Sequence, residues 1–453
     1  MSLMEIALAI IYTAVFIFLI FRLPFFRIHT LPRKFITGVF FLKLLCGLAL
    51  AFLYKYHYPD PEKYADTIKY FNDSKVMYEL IYTDPLAFFQ LLFTINNEQV
   101  PHLKHYVHLM DWWTLESQTI IKINALMRIF SGGYYFVHVV FFVFLSLIGL
   151  VAFYKFLNRV IPGHLLCKYI SVFFVPSVLF WGSGALKEGV FIFANGIFFY
   201  SLYEILSKKA TALRLLTCIF GIYLLMFNQY YLVALLVPCL IAFVVTTYTN
   251  SKRVGWSFSV ISLGYWLIVL NTYRIFPKFD FIKSLYKKQQ HFIGYTSDVN
   301  VASLIDYEVL KPTFLSLLEC TPMAFFNSIF RPHILEIKNP LMLVAALENL
   351  LYIILFIIII ISFNRVRVQR LFRFPIIQFS IYFSVLLFLL IGLVVPVAGA
   401  IVRYKVPLLI YWTFVLMLMI DRQKLSDRIG VLKPIISYFY GIELKLKKNT
   451  FFS

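Results

Sequence analysis

Long, predominantly apolar runs recur along this chain, and no other feature constrains its fold so strongly. Two of them are LMEIALAIIYTAVFIFLIF (3–21) and LMLVAALENLLYIILFIIIIISF (341–363). A helix of about 20 residues crosses roughly 30 Å of hydrocarbon at 1.5 Å per residue. Hydrocarbon offers no water, so every backbone N–H and C=O must be satisfied within the protein, and a helix does this by itself. The composition agrees, with 61% hydrophobic and 14% charged residues, where soluble domains carry about a quarter charged. So many runs cannot be hidden inside one soluble core. The expected class is an all-α integral membrane protein with about 11 transmembrane helices. They are expected at 3–21, 36–54, 133–154, 167–182, 188–206, 212–226, 230–248, 256–272, 341–363, 374–396 and 405–420. The 167–182 run is short and holds Pro176, which points to a broken helix. The 225–230 connection reads either as a turn or as a bend inside one long segment.

The charges sort by side. One set of connections holds Arg22, Arg27, Arg33 and Lys34, then Lys155, Arg159 and Lys168, then Lys208, Lys209 and Arg214. Further on come Lys252 and Arg253, then Arg365, Arg367, Arg370 and Arg373, and in the tail Arg422, Lys424 and Arg428. With eleven spans, all fall on one side, and the positive-inside rule makes that side the cytoplasm. The N-terminus is then outside and the tail of about 421–453 cytoplasmic. The net charge of +20 is therefore orientational, and nucleic acid is not an expected partner. Two long segments, about 55–132 and 273–340, lie outside and are expected to contain short helices. The five cysteines show no disulfide or zinc spacing. The first run lacks a basic leader and a small-residue cleavage site, so it reads as a retained helix. With no repeat and no low-complexity linker, 1–453 reads as a single multi-span domain.

Chemistry-bearing residues gather on the outer face. The first long segment opens YKYHYPDPEKYADTIKYFNDSK, with Asp60, Glu62 and Asp66 close together. If 61–72 is helical, Glu62 and Asp66 share a face one turn apart. Such a carboxylate can accept a proton from a hydroxyl, and Asp60 with Glu62 is where a divalent cation (Mg or Mn) would bind. The same acids also suit the first turn of a helix. The stretch PVAGAIVRYKVP (396–407) reads as an outward turn with Arg403 and Lys405, either facing an anion or snorkelling to lipid headgroups. Arg331 and Glu336 precede the 341–363 span, and Glu348 and Asn349 lie inside it. An acid at that depth is either functional or hydrogen-bonded as structure, with Lys187, Arg331 and Arg403 as candidate partners. FVPSVLFWGSGALKEGV (174–190) places Lys187 and Glu188 after a tight Gly-Ser-Gly turn. Lys187 is expected to line an outer cavity, and Glu188 either to fix it or to favour the N-terminus of the next helix. His102, His105 and His108 are spaced by three, which on an ideal helix turns the first and third about 120° apart. That suits a solvated or interfacial helix better than a metal site. The abundant Phe and Tyr are expected to pack against membrane lipid and at its interfaces.

These segments together resemble the GT-C superfamily of integral-membrane glycosyltransferases, in particular bacterial relatives of the glycosyltransferase 39 type. The resembling stretches are ADTIKYF with Asp66, PSVLFWGSGALKE, FRPHILEIKNPLMLVAALEN and VRYKVP. They touch most of the chain from about 36 to 420. The resemblance implies a polyprenyl-phosphate sugar donor, a lipid-linked glycan or other hydroxyl acceptor, inversion at the sugar, and a site on the outer face of the bacterial inner membrane. It also implies that Asp66 is the base, with Asp60 or Glu62 next in line. Lys187, Arg331, Arg403 and Lys405 become donor-phosphate contacts, with Glu188, Glu336 and Glu348 in support. No cofactor is required on this reading. The chain departs from the pattern in its extra first span and in lacking a clean Asp-x-Asp pair. Other classes that fit a chain of this kind are a flippase or transporter, a polymerase or ligase for lipid-linked glycans, and a non-catalytic membrane scaffold.

Overall fold

The structure, a computed structural model, describes residues 2–57, 65–94, 103–208, 210–228, 230–249, 252–298, 303–338, 340–434, 437–438, 441 and 443. The described residues fold almost entirely as helices, with two isolated β-bridges. In chain order the helices are α1 (Leu3–Arg22), α2 (Arg33–Phe52), α3 (Asp66–Thr83), α4 (Pro85–Phe93), α5 (Lys104–His108), α6 (Leu115–Ser131) and α7 (Tyr135–Val160). Next come α8 (Leu165–Phe173), α9 (Pro176–Trp181), α10 (Lys187–Ser207), α11 (Ala212–Asn228), α12 (Tyr230–Tyr248), α13 (Val254–Asn271) and α14 (Phe281–Asp298). The last are α15 (Phe314–Phe330), α16 (Pro340–Ile361), α17 (Arg365–Leu371), α18 (Pro375–Val394), α19 (Ala398–Met419) and α20 (Arg422–Arg428).

Among the described residues nine helices are long and apolar enough to cross a membrane: α1, α2 with its extension to His57, α7, α10, α12, α13, α16, α18 and α19. The chain is an all-α, multi-pass membrane protein whose outer helices meet lipid. In α1 and α13 only 17% of the apolar window is buried, and Ile10, Ile11, Phe18, Leu263 and Ile268 are exposed. Side chains like these need hydrocarbon around them. The expected 167–182 span is divided into α8 and α9, with the break just ahead of Pro176. The expected 212–226 span is α11, a shorter apolar helix of 17 residues. The last span begins at Ala398 rather than 405, so the expected outward turn at 397–404 is almost wholly helical. Pro407 lies inside α19, where membrane helices tolerate proline because neighbours re-satisfy the freed carbonyl.

The chain divides into two compact units. One comprises Met1–Arg159 and Val178–Val233, the other Val160–Ser177 and Ala234–Lys445. The boundaries fall at the end of α7 and within α9 and α12, so no change of composition marks them.

In the first unit α7 is the central span, with 83% of its apolar window buried. It crosses α10 at two glycines. A Cβ on Gly196 would collide with the Gly149 carbonyl, and one on Gly149 with the Ile192 carbonyl. The segment between α2 and α7 is a folded helical body. Asp84 caps α4 by accepting from the Ala87 amide at 3.1 Å, and Pro85 begins that helix. Thr114 caps α6 through the Ser117 amide at 3.1 Å, and Gly132 ends it with φ +62°. Met77, Leu80, Phe88, Leu91, Trp112 and Ile121 form its core.

In the second unit α18 and α19 form the interior, and α19 has 78% of its apolar window buried. Gly392 of α18 lets α15 approach until a Cβ there would overlap the Ala324 carbonyl. The segment after α14 is pinned to the head of α19. Ile305 N donates to Pro396 O at 3.0 Å and Ala398 N to Ser303 O at 2.9 Å. The buried Gln289 ties the same segment down, donating to the Glu308 and Leu393 carbonyls and accepting from Leu310 N.

Backbone contact this close admits no side chain, and overpacking costs on the order of 1–3 kcal/mol or more. Gly196→Leu is expected to lower the melting temperature of the purified protein or its yield. Gly264→Leu, at a position with nothing within 4 Å, is expected to leave both unchanged.

Candidate functional site

In the first unit the residues of interest mark the two ends of α10. At one end Lys187 is its first residue, and Nζ donates to Glu116 Oε2 at 2.6 Å with both side chains about seven-eighths buried (13% and 14% exposed). Glu116 lies in the first turn of α6, within the folded segment. Asn228 Nδ2 holds the Lys187 carbonyl at 2.9 Å. Glu188 is buried in the first turn of α10, where the helix dipole favours a carboxylate. At the other end the buried Glu204 takes Arg159, Lys208 at 3.2 Å and Arg214 at 3.3 Å. The rise of α10 from Lys187 to Glu204 is about 26 Å, close to the thickness of a bilayer core.

Asp66 is the first residue of α3 and is half-buried. The neighbouring Thr67 hydroxyl shares a 2.9 Å hydrogen bond with Tyr135 OH at the first residue of α7. This bond fixes the start of α3 at the level where the α7 span begins. Lys69 pairs with Asp111 at 3.0 Å, and Asp73 accepts from the Asp111 amide at 2.8 Å. Burial pushes the Asp73 carboxyl above the usual range, and that amide draws it partly back. Arg128 anchors α6 to α3 through Ser74 Oγ at 2.7 Å and the Phe71 carbonyl, and burial lowers its pKa to about 10. Burial lowers Lys122, which donates to the Thr94 carbonyl, to about 8. Asp60, Glu62 and His102 lie outside the described residues, and His105 and His108 are exposed on the short α5.

In the second unit Arg331 and Lys405 do come together. Lys405 is buried in α19 and donates to the Arg331 carbonyl at 3.2 Å and to Asn349 Oδ1 at 3.1 Å. Asn349 Nδ2 in turn donates to the Pro332 carbonyl at 2.8 Å. The Arg331 side chain is 11% exposed, facing Glu336 Oε1 at 3.3 Å and the exposed Asp306 at 3.4 Å. Glu336 also accepts from the His333 amide at 3.1 Å.

Glu348 is buried and accepts from the Ser177 amide at 2.7 Å and the Ser177 hydroxyl at 2.6 Å. The charge of Lys405 lies within electrostatic reach of this hydrogen-bonded carboxyl. The outward pair Arg403/Lys405 is corrected. Two residues apart on a helix they project about 200° apart, so Lys405 turns into the unit while Arg403 stays half-buried on another face.

Sequence reading missed Glu116, Asp306 and Lys43. Lys43 carried a signal, because it is a lone lysine inside a span. It is fully buried and donates to the Gly182 carbonyl at 3.1 Å, which anchors the Gly-Ser-Gly turn against α2. Among the described residues no cluster of three His, Cys, Asp or Glu could hold a metal. No family model, curated protein or solved structure matches this chain.

Removing one member of a buried ion pair strands the other charge, at about 3–5 kcal/mol. Glu116→Gln and Lys187→Met are each expected to destabilise the protein. The double variant is expected to lose less than the sum of the two, in a thermal or denaturant unfolding cycle on purified protein.

Proposed function

We propose that this protein is a GT-C-type glycosyltransferase that moves a sugar from a polyprenyl-phosphate donor to a hydroxyl of a lipid-linked glycan or other acceptor. The reading includes eleven crossings, with α8–α9 and α11 added to the nine long helices, and the bacterial inner membrane as location. The observation that carries it is Asp66. A half-buried carboxylate opens a folded helical segment, and the hydrogen bond between the neighbouring Thr67 and Tyr135 sets the start of that helix at the level where a span begins. An acid so placed meets the polar head of a lipid-borne substrate while that substrate's chain stays in hydrocarbon.

In the proposed reaction the Asp66 carboxylate takes the proton of the acceptor hydroxyl. The oxygen attacks the anomeric carbon from the face opposite the phosphate, and the sugar–phosphate C–O bond breaks. The configuration inverts, and polyprenyl phosphate leaves with the bonding pair. Cationic side chains stabilise that leaving group. Of the cations named from the sequence, Arg331 belongs to the second unit and is engaged by Glu336 at 3.3 Å and Asp306 at 3.4 Å. Lys187 and Lys405 are already engaged by Glu116 and by oxygens of Arg331 and Asn349. Their proposed part is to hold the surrounding backbone.

The test is a glycan profile by mass spectrometry of a strain lacking the protein, complemented with wild type or Asp66→Asn at equal membrane levels. Wild type is expected to restore a missing sugar, and Asp66→Asn to restore on the order of 1% or less, as loss of a general base costs about 10²–10⁴-fold. Equal restoration removes Asp66 as base. Movement of a lipid-linked glycan across liposomes without covalent change would replace the transferase by a transporter.

A further inference from the structure

The connection between α16 and α18 reads NRVRVQRLFR (364–373), with four arginines and no acid. It joins two spans, so it lies at the level of lipid headgroups whichever side it faces. It is not a loose loop. Asn364 caps α17 through the Arg367 amide at 3.3 Å, and its own amide donates to Asp421 Oδ2 at 2.6 Å. Arg367 Nε donates to the Leu418 carbonyl at 3.0 Å, and Gln378 Nε2 to the Phe372 carbonyl at 3.2 Å. From α20, Lys424 donates to the Phe363 carbonyl at 3.1 Å and Arg428 to the Ile361 carbonyl at 2.7 Å. These two cations satisfy the open carbonyl end of α16.

The inward cations are thus occupied, and three arginines are left over. Arg365, Arg370 and Arg373 are exposed and make no ion pair among the described residues. The acids of the neighbouring segment do not neutralise them. Asp421 is engaged by Asn364 and the amides of Gln423 and Lys424, and Glu443 by Arg422 at 2.7 Å, while Asp427 is exposed on α20. Between the arginines stand Val366 (61% exposed) and Phe372, with Phe363 (51% exposed) just ahead. Apolar side chains at that level suit acyl chains just below the headgroups.

We propose that Arg365, Arg370 and Arg373 form a docking surface for the phosphates of anionic phospholipids, with Phe363, Val366 and Phe372 seated among the acyl chains. Guanidinium forks match phosphate oxygens, and a cation at the membrane surface gains about fivefold in affinity for anionic lipid. The three together are expected to supply on the order of a hundredfold. This surface stands apart from the proposed transfer reaction and does not depend on it.

The test is native mass spectrometry of the full-length protein released from nanodiscs of phosphatidylglycerol and phosphatidylcholine. The melting temperature is measured in parallel in each lipid. Wild type is expected to retain phosphatidylglycerol selectively and to melt higher with it. Arg365→Gln/Arg370→Gln/Arg373→Gln is expected to lose that selectivity, and Lys75→Gln, exposed on α3, to keep it. Should the triple variant not fold, Arg373→Gln alone is expected to lower retention about fivefold. Equal retention of the two lipids by wild type, or undiminished selectivity in the variants, overturns the proposal. So does displacement of the lipid by millimolar inorganic phosphate, which would assign the arginines to a free anion.

Discussion

A cation that leaves water must find oxygen, and in this chain it repeatedly finds a backbone carbonyl. Lys43 holds Gly182, Lys122 holds Thr94, Arg128 holds Phe71, and Lys405 holds Arg331. Also in the second unit Arg367 holds Leu418, Lys424 holds Phe363 and Arg428 holds Ile361. Each such bond satisfies an ammonium or guanidinium, and all but that of Phe71, which lies inside α3, use an acceptor at a helix end or turn. The turns that carry candidate chemistry are fixed in this way. Lys43 sets the Gly-Ser-Gly turn that leads into Lys187, and Lys405 sets the backbone at Arg331.

Within each unit the two ends of the spans differ in kind. In the first, α10 runs from the Lys187–Glu116 pair to a buried acid ringed by three cations. In the second, α19 runs from Lys405, tied to Asn349 and Arg331, to the arginine-rich connection at Leu418. One end mixes acids, cations and amides in enclosed geometry. The other is dominated by cations held on helix ends.

What the sequence made legible follows from range. The apolar runs are local and strong, so nine of the expected spans appear as helices of crossing length, and Pro176 marked a real break. The helix expected over 61–72 is described only from Asp66, the first residue of α3, while 61–64 lie outside the described residues. The stretch 396–407 was misread because its glycine, its charges and its two prolines are the marks of a turn. The pairing of 303–305 with 396–398 seats the head of α19 and leaves no trace in the local sequence. Glu116 for Lys187, and Ser177 for Glu348, are likewise partners 71 and 171 residues away that periodicity cannot supply. Arg403 and Lys405 were grouped because they are close in sequence, but a helix turns such neighbours apart.

The folded segment beginning at Asp66 and the basic edge around Glu204 are expected on opposite sides of one membrane, with α10 crossing between them. The most direct measurement uses the exposed Lys75 and Ala210, each changed to cysteine in a variant whose five native cysteines are replaced. A membrane-impermeant maleimide is applied to intact cells and then to permeabilised ones. Lys75→Cys is expected to label in intact cells, and Ala210→Cys only after permeabilisation. Labelling of Ala210→Cys in intact cells, or of Lys75→Cys only after permeabilisation, would contradict it and remove the outward-facing site on which the proposed chemistry rests.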